Sequence, residues 1–134
     1  MNYGKRNIAI GLLFMAAFMV SGFGLIYMRD FDVNKATWIA DANNGTHFEA
    51  RLAHVHGNLF ALLNIVFGFL LIYLKIADKQ AKIISWSLII GMLMPLGIVS
   101  EFTFGFPPIF VLLGAISIVI GTLYFGIILL KKSS

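Results

Sequence analysis

Long apolar stretches alternate with short polar ones along the chain, and the apolar stretches share one length. Residues 8–27, 55–74, 83–100 and 109–130 contain no Asp, Glu, Lys or Arg. A helix needs about 20 apolar residues to cross a hydrocarbon core about 30 Å thick. Only helices or closed barrels satisfy the backbone in lipid, and none of the runs shows the inside–outside alternation of a barrel strand. The pattern therefore predicts an all-α chain, a single transmembrane domain over residues 1–134 built as a four-helix bundle. Its spans fall at about 8–28, 53–75, 83–101 and 108–130. Pro107 and Pro108 open the last, where first-turn N–H groups lack partners in any case. The first run is too long for a leader peptide and no small-residue cleavage site follows it, so it is expected to remain in the protein.

Composition agrees with lipid as the solvent. Of 134 residues, 60% are hydrophobic and 12% charged, against roughly 25% charged in a soluble domain. With no cysteine, disulfides, thiolate catalysis and Cys-ligated metals are excluded. The pI near 9.6 does not point to nucleic acid, because the basic residues lie at span ends, where they report topology. Lys5, Arg6, Lys75, Lys79, Lys82, Lys131 and Lys132 share one side; Arg29, Lys35 and Arg51 lie on the other, among Asp30, Asp32, Asp41 and Glu49. The excess puts both termini in the cytoplasm, as in an inner-membrane protein, and leaves 29–51 as an external loop. Within that loop Asn43-Asn44-Gly45 reads as a turn, and Trp38 and Ile39 suit the membrane interface.

Candidate chemistry concentrates in the second span. His54, Gly57, Ala61, Asn64 and Gly68 recur at helical steps and fall within an arc of roughly 80°. Such a stripe reads either as a packing face, since small residues admit close helix approach and Asn bonds across, or as a groove for a flat ligand below an imidazole. His56 lies about 200° away. His47, Glu49 and His54 form an alternative metal set if the loop brings them together. Glu101 is the only charged residue between Lys82 and Lys131, and such a group in a span is a functional candidate. An interfacial cap or a partner for Arg51 is its bland reading. In the fourth span, Gly114, Ser117, Gly121 and Gly126 indicate helix contacts only.

Arg51-Leu52-Ala53-His54 resembles the Ala-Arg-Ala-His run that opens the second helix of the styrene oxide isomerases, small four-helix membrane proteins related to the hydroxylaminobenzene mutases. Ala77-Asp78-Lys79-Gln80-Ala81-Lys82 is similar to that family's Ala-Asp-Lys-Lys-Ala-Arg, at the same distance after the histidine. The resemblance implies a homotrimer that binds haem b, with His54 as the metal ligand; the groove at Gly57 and Ala61 would then take the cofactor, and Arg51 could pair with a propionate. It implies isomerisation of small apolar epoxides or hydroxylamines by a ferric Lewis acid. Three positions depart from the family: Phe60, Gly91 and Val99 stand where it has Asn, Asp and Tyr. Asn64 and Glu101 are the expected substitutes in catalysis. The departures keep open a haem protein without catalysis, or an accessory membrane protein with no cofactor. A small drug transporter is disfavoured, because the first span holds no carboxylate before Asp30.

Overall fold

The computed structural model describes residues 2–133, and these form α-helices joined by short turns. Helix α1 spans Tyr3–Asp30, α2 Lys35–Ala40, α3 Thr46–Tyr73, α4 Asp78–Gly91, α5 Leu93–Phe104 and α6 Ile109–Ser133, with a 3-10 turn at Asp41–Asn43. Four stretches are long and apolar enough to cross a membrane: α1, α3, α4 with α5, and α6. The four-helix membrane architecture expected from the hydrophobic pattern is the one observed.

Two boundaries differ from expectation, each for a physical reason. Helix α3 begins at Thr46, so His47, Glu49 and Arg51 stand on its first turns rather than in a loop. Their polarity masked the helix, since a span's first turns lie among headgroups and need not be apolar. The third span is broken at Met92, between α4 and α5. Pro95 cannot donate to the carbonyl of residue 91, and its ring crowds that carbonyl. Met92 N–H bonds Ile89 C=O at 3.0 Å, a tighter 3-10 step that turns the chain there.

Packing follows two seams of small residues. Between α1 and α3, a Cβ on Gly4 would lie 2.5 Å from the Gly68 carbonyl, and one on Gly11 2.7 Å from that of Ala61. Between α6 and the broken span, a Cβ on Gly97 would lie 2.7 Å from Val111 N. One on Gly114 would overlap the Met94 backbone. Ser117 Oγ donates to Ser87 C=O at 2.9 Å. Gly126, expected in the same seam, has nothing within 4 Å of its Cβ position. Such contacts replace the hydrophobic effect, which cannot hold helices together in lipid.

The core carries one polar cluster, with Asn7, Asn64 and Ser85 each 0% exposed. Asn7 Nδ2 donates to Asn64 Oδ1 at 2.8 Å, and Asn64 Nδ2 donates to the carbonyls of Phe60 at 3.0 Å and Leu88 at 3.1 Å. Ser85 Oγ donates to Asn7 Oδ1 and accepts from Arg6 Nη2 at 2.8 Å. The Arg6 guanidinium rests 4.3 Å from the Trp86 ring. The cluster ties α1, α3 and α4 at the end of the bundle that holds both termini. The outward faces present aliphatic and aromatic side chains suited to lipid.

Candidate functional site

The opposite end is looser, and there His54 meets α1. Phe18 fills the space over Gly57, where an added Cβ would overlap its ring. One turn further along α1, Ser21 and Gly22 face His54. A Cβ on Gly22 would sit 2.9 Å from the imidazole Cε1, so the glycine makes room for the ring.

The imidazole is oriented by a chain of hydrogen bonds. Ser21 Oγ donates its single proton to Phe18 C=O at 2.7 Å. Its oxygen can then only accept from His54 Nδ1, 3.2 Å away. Nδ1 therefore carries the imidazole proton, and Nε2 keeps a lone pair. Asn58 Nδ2 approaches Nε2 at 3.5 Å, while donating more strongly to His54 C=O at 2.9 Å. An imidazole held in one tautomer by its other nitrogen is the arrangement found at metal-ligating histidines.

His54 lies between two apolar cavities of a size that suits small ligands. The inner one, about 350 Å³, lies among α1, α3 and α5 and is lined by Phe18, Ser21, Tyr27, Ala53, Val99 and Phe102, among others. The outer one is a groove of about 690 Å³ on the lipid-facing surface, lined by Met19, Gly22, Phe23, Ile26, Val55 and Asn58. Leu25 and His54 border both. A third hollow, about 320 Å³, adjoins the groove through Leu25 and Ile26 and is ringed by Arg29, His47 and Arg51. Arg51 Nη1 donates to Ala42 C=O at 3.3 Å, and Arg29 pairs with Asp30 at 2.8 Å.

The stripe read from the sequence divides. His54 reaches both cavities, and Arg51 reaches the hollow beside the groove. Gly57 and Ala61 are covered by α1 and line neither cavity. Asn64 is committed to the polar cluster deeper in the bundle, so its place here is between helices rather than beside His54. Glu101 is half-buried but lines neither cavity, and the one ion pair among the described residues is Arg29–Asp30, not Glu101–Arg51. His47, Glu49 and His54 do not converge. His47 and His54 stand about 10 Å apart along the α3 axis, and Glu49 projects about 200° from His47. Among the described residues no three His, Asp or Glu side chains form a metal-binding group. His47 instead stacks on Trp38 at 4.5 Å, its Nδ1 bonded to the Trp38 carbonyl at 2.8 Å.

Of the three departures from the family pattern, Val99 lines the inner cavity with His54. Gly91 packs against Ile118, and Phe60 is buried beside His56. Ser21, Gly22 and Tyr27 were missed in the sequence. Nothing in α1 but a Ser-Gly pair marked the point facing His54. Compared with known proteins, the chain matches no family model, no curated protein and no solved structure.

Proposed function

We propose that this chain is an integral membrane protein that binds haem b through His54, and that it isomerises small apolar epoxides or hydroxylamines entering from the bilayer. One observation carries the reading. His54 is fixed by Ser21 with its Nε2 lone pair approached only by a long contact from Asn58, at the border of two apolar cavities, one of them open to lipid.

The residues suit the group. An imidazole of fixed tautomer is a ligand, the walls of the groove are apolar, and Gly22 admits the ring against α1. Arg29 and Arg51 lie at the end of the groove where carboxylates of a haem would need cations. Bound there, haem would supply a ferric Lewis acid, able to draw electron density from a C–O or N–O bond. The chain's own part is to hold the ligand ring through Ser21, exclude water with Phe18, Leu25, Val99 and Phe102, and offer the hydroxyl group of Tyr27. As in the family it resembles, the assembly is a homo-oligomer, a trimer by that likeness. Both termini face the cytoplasm of a bacterial inner membrane.

The test is spectroscopic. Protein purified from cells with ample haem should show a Soret band that His54→Ala abolishes. A colourless wild-type protein would end the proposal. Ser21→Ala should keep the band but weaken haem affinity by about 10–100-fold, the usual cost of losing a partner behind a ligand.

A second reading has one observation in its favour. Val99 brings no polar group to the cavity, and neither Asn64 nor Glu101 compensates there. A haem protein without turnover fits that arrangement. Assays of the haem-loaded protein with aryl epoxides and hydroxylaminobenzene separate the two.

A further inference from the structure

At the end of the bundle that holds both termini, α3 closes in an unusual way. Lys75 N–H bonds Ile72 C=O at 3.2 Å, and Ile76 N–H bonds Leu71 C=O at 3.3 Å. This pair forms a Schellman closure, whose left-handed residue is most often glycine. Here it is Lys75 at φ 48°, the one non-glycine residue of positive φ among those described. A residue with a Cβ is strained in that conformation and glycine is not.

Lys75 lines a hollow of about 320 Å³ with Gln80, Lys131 and Lys132, over Ile76 and Ile128. Lys132 Nζ donates to Leu74 C=O at 2.5 Å, which ties α6 to the end of α3. Among the described residues no carboxylate lines the hollow. Asp78, nearest in sequence, lines a separate one with Asn2 and Tyr3. Lysines near helix C-termini also complement the helix dipole, and that accounts for Lys131 and Lys132. At Lys75 the charge comes with a strained backbone conformation that glycine would avoid.

We propose that this hollow binds the phosphate of an anionic phospholipid. Three ammonium groups from the ends of α3 and α6 and an amide from the first turn of α4 gather at headgroup depth, with isoleucines beneath them for the first methylenes of the acyl chains. Basic pockets between membrane helices bind anionic headgroups in this manner. The site is independent of His54, which belongs to the other end of the bundle.

The full chain, reconstituted in nanodiscs, is melted in phosphatidylcholine alone and with phosphatidylglycerol added. Wild type should gain about 4 °C or more from the anionic lipid. Lys75→Gly should melt at or above wild type in phosphatidylcholine, yet lose at least half of that gain. Lys131→Gln should lose a similar share, and it carries the comparison if Lys75→Gly does not purify. Lys5→Gln, exposed at the same end but outside the hollow, should keep the full gain. No gain in wild type, an undiminished gain in both hollow variants, or an equal loss in Lys5→Gln overturns the proposal. So does an equal rise produced by inorganic phosphate without anionic lipid, which would mark the hollow as a site for the soluble ion.

Discussion

Asn64 and His54 share one face of α3, yet their surroundings give them different roles. Asn64 is fully buried and uses its amide on Asn7, Phe60 and Leu88. Interhelical hydrogen bonds in membranes contribute about 0.6 kcal/mol each and rarely above about 1.7. Asn64→Ala breaks several and leaves Asn7 short of an acceptor, so its expected cost is roughly 1–3 kcal/mol. Equilibrium unfolding in mixed detergent measures it, and haem content per folded molecule should be unchanged. A loss of haem without loss of stability would move Asn64 into the cofactor site. His54→Ala should behave in the opposite way, because its ring is half-exposed and borders two cavities rather than sitting in the packed core. The sequence placed both residues on one stripe. It did not distinguish them, because the difference lies in which part of α1 covers each.

Among the helices, glycine carries most of the information, and its meaning depends on the neighbour. Gly114 and Gly126 lie on the same helix and read alike in sequence. At Gly114 a Cβ would overlap the Met94 backbone, which no side-chain rotation relieves. Gly114→Val should therefore destabilise by about 1–3 kcal/mol or more. At Gly126 there is open space within 4 Å, and Gly126→Ala should fall within about 1 kcal/mol of wild type, on the stabilising side. Thermal melting of the two variants in one detergent is sufficient, and equal losses would refute the seam described between α6 and the broken span. The break before Pro95 was not read from the sequence, which gave residues 83–101 as one span. Beyond it, α5 supplies Val99 and Phe102 to the cavity beside His54.

For the molecule as a whole, an even number of spans puts both termini on one side, and the proposal that this side is the cytoplasm rests on the lysine and arginine count. A fluorescent protein fused after Ser134 should glow, and alkaline phosphatase inserted at Asn44 should be active. The reverse pattern would invert the topology. The number of spans, their length and their helical nature were determined by the sequence alone. An apolar run of about twenty residues has no other way to satisfy its backbone in lipid. Tertiary structure decided which residues of a stripe are covered and which are left open. Phe18 closes Gly57, Gly11 meets Ala61, and the Ser21-Gly22 pair seats His54 at the border of two cavities. That choice depends on how two helices register along each other, and periodicity within one helix carries no record of its partner's register.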